Sequence, residues 1–200
     1  MVAYRSAEPN AASILVLHGA GGVDAGNRYV AQLAEGVAAE GLNTFIVEYF
    51  DRTDTTYASE ALIRTQFTTW LETIRDAVSF ISRLPGIDAA RLGTFGYSLG
   101  GYLAVAHASH DSRIKATVEL AGGVDEEFSK TMTRLPPLLI VHGEEDQRVP
   151  FARALELRAF ATRLGSPFET LFFPGERHIF SPAAALAAVT SALAFFKAHL

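Results

Sequence analysis

The stretch RLGTFGYSLGGYLAV, residues 91–105, decides how the rest of the chain is interpreted. It opens with a short apolar run, Arg91–Phe95, that predicts a buried strand, and it ends in an apolar segment of helical character that starts at Tyr102. Between the two lies a G-x-S-x-G pattern centred on Ser98. On a strand-to-helix turn, this pattern holds the serine in a strained backbone conformation, and the glycines let the flanking backbones approach.

Such a turn lifts the Ser98 hydroxyl out of the sheet, so we predict that Ser98 is a nucleophile. The plainer alternative is a Gly-rich turn whose serine only caps the following helix. The strand before the pattern and the helix after it favour the nucleophile. The same turn places the Leu99 N–H and the positive end of the new helix beside a reacting carbonyl, where they would stabilise an oxyanion.

Short apolar runs alternate with longer segments of helical period, as is typical of βαβ units around a parallel sheet. Most runs are apolar at consecutive positions, as expected of strands that are covered on both faces. The predicted strands are Ser13–Leu17, Thr44–Tyr49, Arg91–Phe95, Ala116–Leu120, Leu138–Val141 and Phe168–Phe173. The sequence therefore predicts a three-layer α/β fold, in which a mostly parallel sheet carries helices on both faces.

Three stripes of apolar side chains at spacings of three and four predict helices that pack on this core. The first helix ends at 84–86, the second ends at Gly165, and the third is capped by Ser181 with Pro182 at its first position. The stripes are Phe67, Leu71, Ile74, Val78 and Ile81; Leu157, Phe160 and Leu164; and Leu186, Val189, Leu193 and Phe196. The segment 121–137 is too short to hold a lid domain, so we predict none.

Composition narrows the class of protein. With 200 residues, 49% apolar and 20% charged, residues 1–200 should form a single domain. The 17 basic and 22 acidic side chains give a net charge of −5 without long runs of one sign, which argues against nucleic-acid or membrane binding.

The absence of cysteine excludes disulfides, thiolate metal sites and a thiol nucleophile. No apolar run reaches the length of a membrane span, and we expect a cytoplasmic protein, either a monomer or a homodimer.

A serine hydroxyl needs a neighbouring base, and His178 is the best placed of the six histidines. It lies in the loop that follows the Phe168–Phe173 strand and precedes the last helix. The histidines of the helix after Ser98 and of the chain end are expected at the surface, and His18 and His142 are expected to support turns. We predict that His178 is the general base.

The acid that orients the base should lie between serine and histidine in the chain. The segment after the Leu138–Val141 strand offers Asp146, which would accept the imidazole N–H and stabilise the imidazolium. Glu144, Glu145 and Asp125 are its rivals, and the plain alternative is that these carboxylates only solvate a loop. All three predicted groups follow parallel strands, whose carboxyl ends form the ligand-binding edge of such sheets.

A glycine-rich loop, His18–Gly22, follows the first predicted strand and leads into a segment with Val30, Leu33 and Val37. A dinucleotide site would need a third glycine where Asp24 stands, and that carboxylate would repel a pyrophosphate. The loop is better explained as the second half of an oxyanion hole, in which the N–H of Ala20 or Gly21 joins that of Leu99.

With these motifs assembled, the sequence resembles the dienelactone hydrolase family of the α/β-hydrolase superfamily. The resemblance runs from about Ile14 to Phe180 and rests on the segments 17–22, 87–101, 142–150 and 178–180. It implies the fold, the triad of Ser98, Asp146 and His178, and hydrolysis of carboxylic esters without a cofactor or metal. Dienelactone hydrolases proper use a cysteine where this chain has Ser98, and their substrate-clamping arginines have no assignable positions, so carboxylesterase is the safer expectation.

We therefore expect a serine hydrolase that cleaves a small-molecule ester through an acyl-enzyme. Tyr49, Phe50 and Tyr97 are predicted to line the substrate pocket, although ordinary aromatic packing explains them equally well. A thioesterase or a small serine peptidase would use the same three residues. A ligand-binding protein without activity on the same scaffold is the alternative from another class.

Overall fold

The computed structural model describes residues 1–23 and 34–200. Its strands are β1 Val2–Tyr4, β2 Ser13–Leu17, β3 Asn43–Val47, β4 Leu92–Tyr97, β5 Ile114–Leu120, β6 Leu138–Gly143 and β7 Phe168–Phe173. Its α-helices are α1 Glu60–Ile81, α2 Leu99–His110, α3 Glu126–Ser129, α4 Ala152–Leu164 and α5 Pro182–His199, and a 3₁₀ turn covers Asp51–Thr53. Residues 34–39 are also helical, and they include Val37 of the segment predicted to follow the Gly-rich loop. Asp24, Val30 and Leu33 lie outside the described residues.

The seven strands form one sheet in the order β1-β3-β2-β4-β5-β6-β7. Every neighbouring pair is parallel except β1 with β3. The α/β prediction is therefore confirmed, and the six predicted strands are all present with ends that differ by at most two residues. Strand β1 was not predicted, because three residues at the edge of a sheet carry no periodic pattern.

Helices cover the sheet on both faces, which confirms the three-layer arrangement. On one face α1, α2 and α4 pack through a large apolar cluster that includes Trp70, Leu103 and Leu157. On the other face α5 packs through a second cluster that includes Ala188 and Phe196. In the described part of the chain, β5 and β6 are joined by a short connection with the four-residue helix α3, and no lid is inserted there.

The first apolar stripe lies on α1 as predicted, but the helix begins earlier than the stripe. Ser59 caps the helix by accepting the Leu62 N–H, and this cap stands eight positions before Phe67. Trp70 also belongs to the buried face, and its indole N–H donates to the Thr53 hydroxyl at 2.9 Å. The Leu157 stripe is confirmed on α4, where Gly165 ends the helix with φ +64°.

The predicted buried face of α5 is confirmed only in part: Phe196 is buried, and Leu193 is half-buried against the second apolar cluster. Leu186 is 68% exposed, and the buried positions are Ala184, Ala188, Ala192, Phe195 and Phe196. Small side chains let this helix approach the sheet closely, and a Cβ added at Gly93 of β4 would lie 2.9 Å from the Phe196 ring. Of the four residues in the predicted stripe only Leu186 is exposed, and the buried face extends instead to alanines, which a search for large apolar residues does not detect. The predicted cap is present, since Ser181 accepts the Ala184 N–H.

Helix α5 is also long and apolar enough to cross a membrane by length and composition, with 18 residues and a mean hydropathy of 1.2. The prediction that no apolar run reaches the length of a membrane span is therefore wrong for this segment. In the fold 28% of its residues are buried, and these residues pack on the second apolar cluster. Length and hydropathy are therefore weak indications of a membrane span here.

The core face of α1 should dominate the stability that this helix contributes. We expect Ile74→Ala, which empties a fully buried position, to lower the free energy of unfolding by about 2–5 kcal/mol. Phe80→Ala on the same helix is the matched control, because Phe80 is 51% exposed and its loss should change stability by about 0.5 kcal/mol or less. Urea unfolding followed by circular dichroism measures both, and equal effects would contradict the assignment of the buried face.

Candidate active site

The turn between β4 and α2 holds Ser98 in a conformation that L-residues rarely adopt, with φ 55° and ψ −120°. Its N–H donates to the Leu120 carbonyl at 2.8 Å, which fixes the turn to strand β5. A Cβ at Gly96 would overlap the Gly100 carbonyl, and a Cβ at Gly100 would overlap the Leu17 carbonyl of β2. The two glycines of the motif are therefore required by the close approach of α2 to the sheet.

Three predicted side chains meet beside this turn. His178 Nε2 lies 3.0 Å from Ser98 Oγ, and His178 Nδ1 lies 2.7 Å from Asp146 Oδ2. All three are largely buried, with exposed fractions of 8%, 8% and 5% for Ser98, His178 and Asp146. The hydroxyl, imidazole and carboxylate thus form one hydrogen-bonded series, with the imidazole in the middle.

Asp146 is held by the turn that follows β6. Its N–H donates to the Gly143 carbonyl, and its Oδ1 accepts the N–H groups of Arg148 and Val149 at 2.8 and 2.9 Å. Oδ2 is then left for the imidazole. The three rival carboxylates are not in this arrangement: Glu144 and Glu145 are exposed, and Asp125 caps helix α3 by accepting the N–H groups of its first turn.

Three contacts position the loop that carries His178. The Tyr97 hydroxyl donates to the His178 carbonyl at 3.0 Å, and the Glu145 N–H donates to the Glu176 carbonyl at 2.9 Å. The Glu176 carboxylate accepts both the N–H and the hydroxyl of Ser181 at the start of α5. The loop is therefore joined to β4, to the loop of Asp146 and to the last helix.

The other two buried histidines near this edge of the sheet support turns, as expected. His142 Nε2 donates to the Val149 carbonyl at 2.9 Å, and His18 Nδ1 donates to the Gly19 carbonyl at 2.9 Å. Burial lowers the pKa of both imidazoles below the usual histidine value. His142 Nε2 also lies 3.5 Å from Asp146 Oδ2, and because that imidazole stays neutral it does not compete with His178 for the charge.

The Gly-rich loop lies against the turn of Ser98. A Cβ at Gly19 would be 3.3 Å from the Ser98 Cβ, and the Gly22 N–H closes the loop on the Gly19 carbonyl at 3.1 Å. The Ala20 carbonyl accepts the Ala58 N–H at 2.8 Å. On the opposite side of the serine, Leu99 is the first residue of α2, so its N–H has no partner within the helix.

The structure does not place all the predicted pocket residues at the site. Tyr49 is fully buried, its hydroxyl donates to the His18 carbonyl at 2.6 Å, and its ring stacks on His18 at 4.1 Å. Phe50 packs edge-on against the same imidazole at 4.7 Å. These contacts fit the alternative of ordinary aromatic packing in the core beneath the Gly-rich loop, and a place for Tyr49 and Phe50 in the substrate pocket stays a prediction. Tyr97 does lie at the site, where its hydroxyl donates a hydrogen bond to the His178 carbonyl.

One buried side chain beside the nucleophile was missed. Glu119 of β5 is fully buried, and its Oε1 accepts the N–H of Gly122 in the turn after that strand. The sequence carried a signal, since a carboxylate inside the otherwise apolar end of a central strand is unusual. Within residues 1–23 and 34–200, no group of three or more histidine, aspartate or glutamate side chains could hold a metal ion.

Comparisons with known proteins agree with this architecture. The model of the dienelactone hydrolase family matches residues 1–197. A curated relative of Methylorubrum extorquens, named "Putative carboxymethylenebutenolidase", is 27% identical over 113 residues, which cover 52% of this chain and 39% of the relative. The chain therefore spans well under two thirds of that relative's length.

Solved structures show the same fold across the whole chain. The "Putative Dienelactone Hydrolase" of Klebsiella pneumoniae matches with a TM-score of 0.81 at 20% identity, covering 98% of this chain and 92% of that one. Est1E of Butyrivibrio proteoclasticus gives 0.72 at 18% identity, with 98% and 94% covered. A puromycin-hydrolyzing peptidase of Mycobacterium tuberculosis gives 0.77 at 17% identity, with 96% of this chain but 35% of the peptidase covered. Because these sequence identities are 20% or lower, the similarity shows that the fold is shared and nothing beyond the fold.

The packing of the turn around Ser98 can be tested by adding one methyl group. We expect Gly100→Ala to destabilise the protein by about 3 kcal/mol or more, because the new Cβ overlaps the Leu17 and His18 carbonyls. Gly36→Ala is the matched control: its Cβ meets no atom of the described residues within 4 Å, and it should stabilise the helical segment by about 0.5–1 kcal/mol. Thermal melts compare the two, and a neutral Gly100→Ala would overturn this description of the turn.

Proposed function

The chain belongs to the dienelactone hydrolase family, and we propose that within this family of hydrolases it is a serine carboxylesterase acting on small-molecule esters. Ser98 is the proposed nucleophile, His178 the general base and Asp146 the orienting acid. The observation that carries the proposal is the hydrogen-bonded series from Ser98 Oγ through His178 to Asp146, with distances of 3.0 and 2.7 Å. The cytoplasmic location stays a prediction from the sequence.

In the first step, His178 Nε2 accepts the proton of the Ser98 hydroxyl while Oγ attacks the ester carbonyl carbon. A C–O bond forms, and the electron pair of the carbonyl moves to its oxygen. The imidazolium keeps its second N–H on Asp146, whose other oxygen is held by the Arg148 and Val149 N–H groups. Those hydrogen bonds hold the carboxyl group in place, so that Oδ2 stays directed at the imidazole.

The developing oxyanion would be stabilised by the Leu99 N–H at the positive end of α2. The second donor is proposed to be the N–H of Ala20 or Gly21, since the loop that carries them lies against Ser98 through Gly19. Glycines at this loop allow the backbone to reach the substrate.

The tetrahedral intermediate then collapses. Its C–O bond to the alcohol breaks, the alkoxide takes the proton from His178, and an acyl-enzyme on Ser98 remains. A water molecule next gives a proton to His178 and attacks the acyl carbon; the Ser98 oxygen leaves and recovers the proton, so that carboxylic acid and free enzyme result. The step needs no further reactant.

Two features support small carboxylic esters as substrates. In the described part of the chain no lid domain is inserted between β5 and β6, and without such a lid we expect the site to accept small esters from solvent. The nucleophile is a serine, whereas the lactone hydrolases that the sequence resembles use a cysteine and clamping arginines without equivalents here. We therefore propose short acyl esters rather than the family's lactone.

Replacing the nucleophile is the first test. We expect Ser98→Ala to lower kcat on p-nitrophenyl acetate by about 10³-fold or more and to abolish labelling by a fluorophosphonate probe. Ser112→Ala, which changes an exposed serine, should leave both readouts unchanged. Undiminished labelling of Ser98→Ala would exclude Ser98 as the nucleophile, and a wild type with neither activity nor label would favour a ligand-binding protein.

A second test separates ester hydrolysis from its nearest rivals. A thioesterase or a serine peptidase would use the same three residues, and proteins of the same fold include a peptidase. We expect kcat/KM to be highest for short p-nitrophenyl esters, compared with acyl thioesters and aminoacyl amides of matched acyl length. A higher kcat/KM on the thioester or amide would replace the carboxylesterase assignment while leaving the serine mechanism intact.

A further inference from the structure

The carboxyl group of Glu119 lies under the turn that carries Ser98. Glu119 is in the central strand β5, beside Gly96 of β4 and Ile140 of β6, and it is fully buried. A carboxyl group is among the most costly side chains to bury, so its position needs an explanation. None of the steps of ester hydrolysis described above uses it.

The contacts of Glu119 join it to the backbone around the nucleophile. Its Oε1 accepts the Gly122 N–H, and a Cβ at Gly101 in the first turn of α2 would lie 3.3 Å from the same oxygen. A Cβ at Gly122 would lie 2.8 Å from the Ser98 carbonyl oxygen. Glu119, the turn after β5 and the first turn of α2 are therefore packed as one unit, with no space for an added methyl group.

The surroundings of Glu119 favour its neutral form. Its Oε2 is buried and has no hydrogen-bond partner among the described residues. Burial raises the pKa of this carboxyl to about 8, and the Gly122 N–H opposes that shift to a lesser degree. Gly96 and Ile140 face it from the neighbouring strands, and Tyr102 of α2 is the titratable side chain whose own pKa responds to Glu119.

We propose that Glu119, in its protonated form, is a positioning residue that keeps Ser98 and the Leu99 N–H in their active arrangement. The inference rests on the proposed serine hydrolase function. Loss of the proton would place an uncompensated negative charge beside the first turn of α2. That charge would offset the positive potential which the helix end offers to the oxyanion, and it would draw water into a unit that has no space for it.

The sign of the pH effect follows from the direction of the shift. A carboxyl whose pKa is raised by folding contributes most to stability at low pH, and this contribution is lost as pH rises from the unfolded value of about 4.5 through about 8. The active fraction should fall only as pH rises through about 8 and beyond, where the folded protein itself loses the proton. Burial raises the pKa of Tyr97 and of Tyr102 to about 12, so these hydroxyls do not titrate there.

The test is the pH profile of kcat for wild type and Glu119→Gln on p-nitrophenyl acetate. We expect wild-type kcat to fall about tenfold per pH unit above about pH 8, because one proton is lost from the active form. Glutamine has the shape of the neutral acid and still offers an oxygen to Gly122 but cannot ionise. Its kcat at pH 7 should stay within about threefold of wild type, and the fall at high pH should disappear.

Two further variants separate positioning from general support of the strand. Thr117→Val changes a buried hydroxyl on the same strand, hydrogen-bonded to Thr94 at 3.0 Å, and should keep the wild-type pH profile. Glu119→Met removes the acceptor of the Gly122 N–H as well as the ionisable group; its kcat should fall about tenfold or more at every pH, with no additional fall at high pH. A Glu119→Gln enzyme that keeps the wild-type fall would overturn the inference, and so would a Glu119→Met enzyme that keeps wild-type kcat at pH 7.

Failure of the proposed function gives a different result. In that case the wild type would neither hydrolyse the ester nor react with a fluorophosphonate at any pH, and the positioning role would be rejected with it. An active wild type whose profile is unchanged in Glu119→Gln would reject the role of Glu119 alone. Thermal melts across the same pH range check the ionisation itself: the melting temperature of wild type should fall relative to Glu119→Gln as pH rises towards about 8.

Discussion

The close approach of helix α2 to the sheet is the constraint on which the rest of the site depends. The helix starts so near β2 and β4 that Gly96 and Gly100 cannot carry side chains, and the residue between them must take a positive φ. Strain of this kind costs about 1–3 kcal/mol and persists only where the surroundings enforce it. Here the Leu120 carbonyl and the Gly-rich loop hold the turn on two sides. The result is a Ser98 hydroxyl at the start of α2, next to the Leu99 N–H, which has no hydrogen-bond partner within that helix.

Convergence of the other two groups follows from the topology. Because β6 and β7 are parallel neighbours, the loops after them leave the sheet at the same edge, and backbone hydrogen bonds join the two loops directly. Tyr97, which precedes Ser98, then donates a hydrogen bond to the His178 carbonyl. The hydroxyl, imidazole and carboxylate are thus positioned by the backbone more than by one another, and this preorganisation suits a site that must stabilise charge during the reaction.

Much of this arrangement could be predicted from the sequence because it depends on local rules. Consecutive apolar runs gave the strands, and the strand before Ser98 and the helix after it identified the turn. Chain order selected His178 and Asp146. Features that depend on distant contacts could not be predicted in this way. The alanine face of α5 reflects the space above Gly93, the buried state of Tyr49 reflects its stacking on His18, and the position of Glu119 beneath the turn requires the register of three strands.

The most direct measurement of the central claim is a crystal structure of the protein after reaction with a phosphonate ester. The phosphonyl group imitates the tetrahedral intermediate, so the account predicts a covalent bond from phosphorus to Ser98 Oγ. It also predicts a phosphonyl oxygen within hydrogen-bond distance of the Leu99 N–H and of a second N–H from the Gly-rich loop. Phosphorus on a different residue, or an oxygen directed away from both N–H groups, would contradict the account.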